Sequence, residues 1–170
     1  ERRERMPSVL VTGANRGIGL AITRHLSARG WDVYATARSE GALAELGTMP
    51  GVHPTRLDIT DRASLDALAA QLPAELDGLV NNAGIIVNGP VEGLTLDDLS
   101  RQLDVNVTAQ IGVTHAVLPR IRAAKGRIVF ISSVSGLIAT PGTGAYNASK
   151  FALEALADAL RMELRPWGIR

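Results

Sequence analysis

The sequence predicts an α/β fold: a doubly wound parallel sheet with helices on both faces. Short apolar, β-branched runs alternate with longer stretches at helical spacing, the pattern of βαβ units. The first such run passes directly into a glycine-rich turn and then a helix. With 170 residues, 46% hydrophobic and 21% charged, the chain is sized for one domain with a real core.

Ser8-Val9-Leu10-Val11-Thr12 reads as the first strand, and Ile18 to Ala28 as the helix that follows. Trp31 to Thr36 is the second strand and Glu40 to Leu46 a short helix. Val52 to Leu57 and Leu76 to Val80 supply the third and fourth strands. Between them Asp61 opens a helix whose Leu65, Leu68, Ala69 and Leu72 share one face. A long helical stretch with room for one break covers Thr95 to Ala124, and Arg127 to Ser133 is a strongly apolar strand. The last helix runs from Tyr146 to Arg165, with Ala152, Ala155, Leu156, Ala159 and Leu160 on one stripe, and Pro166 and Gly168 stop it. Residues 1–7 are expected to be a flexible N-terminal segment, and 8–170 a single domain. After Trp167-Gly168-Ile169-Arg170 the pattern asks for another strand. The last strands are therefore expected to be missing from this sequence, leaving the strand at Arg127 to Ser133 with an uncovered edge.

Composition removes several classes of function. Eighteen basic and seventeen acidic residues leave a formal charge of +1, no large electrostatic reason to bind nucleic acid or anionic membrane. Without cysteine there is no disulfide framework, thiolate zinc site or cysteine nucleophile. His25, His53 and His115 are scattered and predict no metal cluster. No apolar run reaches the length of a membrane span, and Glu1-Arg2-Arg3-Glu4-Arg5 is unlike a signal peptide. The expectation is a cytoplasmic protein.

Glycine is in excess, 17 residues of 170, against about 7% on average. Thr12-Gly13-Ala14-Asn15-Arg16-Gly17-Ile18-Gly19 lies between the first strand and first helix. Glycine permits positive φ and close approach of backbone to a ligand, and a helix N-terminus offers free N–H groups to a phosphate. The same glycines also suit a tight turn that binds nothing. A ribose-binding acid is expected about 20 residues on if the ligand is NAD. Here the second strand ends Thr36-Ala37-Arg38-Ser39-Glu40, with no acid at the strand end itself. Arg16 and Arg38 suit the 2′-phosphate of NADP, so NADP is favoured over NAD. Glu40 is the competing residue, since a small loop shift would bring it to a ribose hydroxyl, and both arginines also read as solvated surface charges.

Tyr146-Asn147-Ala148-Ser149-Lys150 places Tyr146 and Lys150 on one face at the start of a helix. An ammonium beside a phenol favours phenolate. The pair alone is more often structural than catalytic.

The combination is more specific. The glycine turn, Asn81-Asn82-Ala83-Gly84, Ile131-Ser132-Ser133 and Tyr146-x3-Lys150 occur in this order. From about Val9 to Ile169 the sequence resembles the short-chain dehydrogenase/reductase family, in its TGxxxGxG branch. The resemblance implies a Rossmann-type fold and an NAD(P)-dependent oxidoreductase that interconverts an alcohol with a ketone or aldehyde, without a metal. It implies that Tyr146 is the general acid/base, that Lys150 assists it and holds the nicotinamide ribose, and that Ser133 hydrogen-bonds the substrate oxygen. By spacing, Ser132 fits that last role less well. Asn106 matches an asparagine that kinks a helix and holds a relay water. Gly13, Asn15, Arg16, Gly17, Ile18 and Gly19 are the implied phosphate turn. Arg38 is placed at the 2′-phosphate, Asp58 and Ile59 at adenine, and Asn82, Ala83 and Gly84 behind the cofactor. Ser133 and Asp58 also read as caps of local turns, and Asn106 as a helix-surface residue.

Family members usually continue for several tens of residues that shape the substrate pocket, and those residues are expected to be missing here. Hence the alternative expectation is a non-catalytic dinucleotide-binding protein or inactive truncated fragment. A nucleotide-sugar epimerase or dehydratase fits the glycine spacing less well. Phe151-Ala152-Leu153-Glu154 and Leu160-Arg161-x-Glu163-Leu164 are similar to members acting on lipophilic alcohols and ketones. The family also implies a homo-dimer or homo-tetramer built on the two long helices.

Overall fold

Buried on both faces, β1 (Ser8–Val11) and β4 (Gly78–Asn81) are the centre of the sheet, which explains why they read as continuous apolar runs. The computed structural model describes residues 5–169. Its elements follow in the order β1, α1 (Gly17–Ser27), β2 (Asp32–Ala37), α2 (Glu40–Leu46), β3 (Val52–Arg56), α3 (Arg62–Leu68), β4, α4 (Leu96–Leu103), α5 (Ala109–Ala124), β5 (Arg127–Phe130) and α6 (Gly144–Leu164). The sheet is parallel throughout, in the order β3-β2-β1-β4-β5. Leu10 stands opposite Tyr34 on one side and Leu79 on the other.

Alternation along β1 divides the core in two. Leu10 and Leu79 pack with Leu68 of α3 and with Val113, Val117 and Ile121 of α5. Val9, Val11, Val33 and Ala35 face the opposite side, against Leu20, Ile22 and Leu26 of α1 and Leu46 of α2. Helices thus cover both faces, as the sequence pattern requires.

Local chemistry sets several boundaries. The Asp61 carboxylate accepts from the amides of Ala63 and Ser64, and the Ser39 hydroxyl from that of Ala42. The Thr95 hydroxyl accepts from the Asp98 amide. Each cap contributes about 1 kcal/mol. Lys125, at φ 51, takes the left-handed conformation that ends α5.

Two expected strand boundaries move by two residues or more, and the helix after Asp61 ends at Leu68 and passes into a 3₁₀ turn, Ala69–Gln71, before Leu72. The fourth strand begins at Gly78 rather than Leu76, because the Leu76 amide bonds the Arg120 carbonyl beside α5. The fifth ends at Phe130 rather than Ser133: its partner β4 ends at Asn81, whose carbonyl takes a last bond from the Ile131 amide. The expected break in the long helix is a π-helical turn, Asp104–Thr108, between α4 and α5.

β3 and β5 are the sheet edges among the described residues. β3 carries Pro54, which an edge tolerates, and Val129 of β5 is 41% exposed. Of the segment 1–7, residues 1–4 lie outside the described residues; Arg5 donates to Asp77 at 2.9 Å. No helix among the described residues is long and apolar enough to cross a membrane.

Candidate cofactor cleft and active site

The strand order reverses between β1 and β4, and there the chain ends of the strands open a crevice, the position where α/β sheets bind ligands. A cleft of about 980 Å³ occupies it. Gly13, Asn15, Arg16, Gly17 and Ile18 line one side, Arg38, Asp58 and Ile59 the second, and Asn82, Ala83 and Gly84 the third. Gly19 stands behind the turn. The structure therefore brings eleven of the expected cofactor residues, from four separate segments, to one cleft, whose lining does not include Gly19, Tyr146 or Lys150.

The glycine turn is fastened from behind. The Thr12 hydroxyl accepts from the amides of Asn82 and Ala83 at 2.9 and 3.0 Å. The Asn82 side-chain amide donates back to the carbonyls of Thr12 and Gly13 at 2.9 and 3.1 Å. Gly13 and Gly17 have φ of +62° and +53°. A Cβ on Gly19 would overlap the Gly13 carbonyl and come within 2.5 Å of the Asn82 amide nitrogen. Close packing of turn on turn thus requires glycine there. No side chain caps α1, so its first amides face the cleft without a side-chain partner.

Charge in the cleft is mixed. Arg16, Arg38 and Arg101 line it together with Asp58, Asp97 and Asp104. Arg38 approaches Asp58 to 3.9 Å while remaining largely exposed. Asp58 accepts from the Thr60 hydroxyl at 2.7 Å and the Thr60 amide at 3.0 Å. Those bonds, aided by Arg38, hold its carboxyl below the usual aspartate range. Glu40 is at the first turn of α2, where its carboxylate pairs with Arg56 of β3.

Tyr146 and Lys150 lie on one face of α6, with the Lys150 nitrogen 5.7 Å from the Tyr146 ring centroid. Lys150 is buried and donates to the Ile131 carbonyl at 2.7 Å. Burial pushes its pKa down, and the nearby Glu154 carboxylate opposes that shift. Ser133, in extended conformation, caps the turn after β5, its hydroxyl accepting from the Ser135 amide at 3.1 Å. The neighbouring Ser132 hydroxyl is instead buried without a partner among the described residues, in a groove between β5 and α6. Asn106 is fully buried within the π-helical turn, which corrects the surface alternative. Its side chain accepts from the Ile85 amide and donates to the Ile85 carbonyl, both at 2.9 Å, and donates to Ser149 at 3.1 Å.

A family model described as short chain dehydrogenase matches residues 7–170. The chain belongs to this family. Members use NAD(P) nicotinamide cofactors and bind small-molecule substrates. The chain is 41% identical over 167 residues to a 3-amino-tetrahydro-pyrrolizinone reductase of Xenorhabdus hominickii, covering 95% of this chain and 58% of that protein. Retinol dehydrogenase 5 of Homo sapiens is 41% identical over 170 residues, covering 95% of this chain and 53% of its own length. A short-chain dehydrogenase structure from Streptomyces avermitilis superposes with a TM-score of 0.92 at 37% identity, covering 98% of this chain and 64% of that one. The chain therefore spans little more than half the length of these two curated relatives.

Several site-building residues escaped the sequence reading. Asn147, beside Tyr146, is buried; its amide donates to the Ile138 and Ser135 carbonyls at 2.8 and 3.3 Å, and its oxygen accepts from Thr143 at 2.8 Å. It fastens the segment after Ser133 to the start of α6. Gln102, Gln110 and Thr114 are buried too, and with Asn106 they repeat every four residues. That repeat of polar residues on an otherwise apolar helix face is a signal the sequence does contain.

Proposed function

We propose that this chain is the dinucleotide-binding and catalytic part of an NADP-dependent oxidoreductase that interconverts an alcohol with a ketone or aldehyde. The buried Lys150 ammonium beside Tyr146, in a chain that also carries a glycine-lined cleft, supports this reading. The absent side chain at Gly17 leaves open space for backbone contact with a pyrophosphate, Gly13 and Gly19 let the turn pack against Asn82 and Ala83, and the uncapped start of α1 suits the pyrophosphate charge.

When bound, the nicotinamide supplies or accepts the hydride. Tyr146 gives a proton to the carbonyl oxygen during reduction and takes it back during oxidation. Ser133 donates a hydrogen bond to the same oxygen, stabilising its developing charge. Lys150 places a buried positive charge beside the phenol ring. Asn106 holds the Ile85 backbone behind the site, and it also binds Ser149 within α6.

NADP rather than NAD is favoured by Arg16 and Arg38 in the cleft and by the engagement of Glu40 with Arg56. Asp58 and Ile59 are suited to the adenine end. A homo-oligomer would use the outer side of α6, where Phe151 and Leu156 are exposed; sedimentation of Phe151→Glu beside the parent chain tests this.

Fluorescence titration of NADPH and NADH, with Arg38→Asp in parallel, tests the cofactor assignment. The expected result is tighter binding of NADPH and a loss of about tenfold or more in the variant. Preference for NADH would overturn the arginine argument. A carbonyl-substrate screen with Tyr146→Phe as the inactive control tests the chemistry.

A further inference from the structure

Beyond Asn81 the backbone leaves the sheet, so its peptide groups lose strand partners and need others. Thr12 takes the amides of Asn82 and Ala83, and side chains from the long helix, one per turn, take groups from the Ala83 carbonyl to the Val87 amide. One turn further along the helix, the Thr114 hydroxyl accepts from the Asn81 side chain at 3.0 Å. Gln110 donates to the Ala83 carbonyl at 2.8 Å. Asn106 binds both the amide and the carbonyl of Ile85. Gln102 accepts from the Val87 amide at 2.7 Å and donates to the Ile85 carbonyl at 2.9 Å.

The spacing has a geometric reason. Four helical residues climb about 6 Å, and two residues of extended chain span about 6.6 Å, so each helical step meets every second residue. Four residues of α-helix also overshoot a full turn by about 40°, which would swing successive side chains off the segment. The π-helical turn at Asp104–Thr108 is wound more loosely and takes back part of that drift. A carboxamide carries a donor and an acceptor on separate atoms, as a peptide group does, so it replaces a missing strand neighbour where an ionised carboxylate could only accept.

The segment so held forms one wall of the cofactor cleft, through Ala83, Gly84 and Ile85. The outer side of α4 and the π-helical turn contribute Ser100, Arg101 and Asp104 to the same cleft. We propose that Gln102 and Gln110 are positioning residues which, on either side of Asn106, set the place of this wall and thereby the affinity for the nicotinamide dinucleotide. The inference rests on the dinucleotide reading above.

Gln102→Met and Gln110→Met keep length while removing the amide. In each, NADPH affinity and amide hydrogen exchange are measured on the full chain. For Gln102→Met the NADPH dissociation constant is expected to rise about tenfold, with faster exchange confined to Ile85, Val87 and their neighbours. Gln110→Met is expected to weaken NADPH binding by a smaller factor, about threefold, since it breaks one bond. Should Gln102→Met fail to fold, Gln110→Met, which breaks a single bond, carries the test. Unchanged NADPH affinity in folded variants would overturn the inference, as would faster exchange spread evenly over the molecule. If the parent chain binds neither NADPH nor NADH, the dinucleotide reading itself fails. The exchange at Ile85 and Val87 then still decides whether the glutamines hold the segment, and unchanged exchange there overturns that too.

Discussion

Lys150 donates from Nζ to the Ile131 carbonyl at 2.7 Å, so the helix carrying Tyr146 is fastened to the residue just beyond β5. This bond partly offsets the cost of burying an ammonium and fixes where the charge sits. Because burial lowers the folded pKa of Lys150 below 10.5, its titration favours folding at high pH. That contribution is fully present above 10.5 and is lost as pH falls through the lowered folded value. Lys150→Met removes the charge at similar length. Its denaturation midpoint relative to the parent is expected to be most favourable near neutral pH and least above 10.5, while turnover falls by about 10² or more. Denaturant titrations at several pH values, with rates at pH 7, check both.

Asp58 behaves in the opposite range. Its carboxyl is held low by Thr60 and, less, by Arg38, so it adds stability above its unfolded value of 3.8 and loses it as pH falls through the lower folded value. Thr60→Val removes the hydroxyl bond and is expected to raise the Asp58 pKa. An NMR titration of that carboxyl reads the shift directly, and an unchanged midpoint would show that the Thr60 amide alone sets it.

The glycine turn offers two contrasting substitutions. Gly19→Ala places a methyl against the Gly13 carbonyl and the Asn82 amide, forcing two packed turns apart. A loss of about 1–3 kcal/mol is expected, together with weaker nucleotide binding. At Gly17 a Cβ meets no protein atom within 4 Å, and only its positive φ of +53° resists substitution. Gly17→Ala is expected to cost about 1–2 kcal/mol. Chemical denaturation and NADPH titration of both variants separate crowding from backbone strain.

Asn147 gives a fourth prediction. Its amide ties Ser135 and Ile138 to the start of α6, so Asn147→Leu leaves both carbonyls without that donor. Thermal stability is expected to drop by about 1–3 kcal/mol. Calorimetry of this variant beside the parent chain checks the magnitude.

Much of the scaffold is legible in the sequence. Helix α2 was bounded correctly at Glu40 and Leu46, because Ser39 and Gly47 punctuate it locally. Asp61 marked the start of α3 for the same kind of reason: a short acidic side chain reaches its own next amides. Such contacts depend only on neighbours in sequence.

The long helix and the end of β5 were less legible. Whether Ile131 to Ser133 continue a strand depends on where β4 ends, and β4 ends where the buried polar side chains of the long helix draw its continuation away. No local pattern encodes that.

By itself the sequence determined the alternation of strands and helices, the glycine turn and the Tyr146–Lys150 pair, since these follow from periodicity and backbone freedom within short windows. Only the tertiary structure decided that Asn106 is buried against Ile85, that Glu40 is engaged by Arg56 and that Ser132 and Ser133 have different surroundings. Those outcomes require residues far apart in the chain to meet, and a side chain's partners are set by the packing of whole elements rather than by its neighbours in sequence.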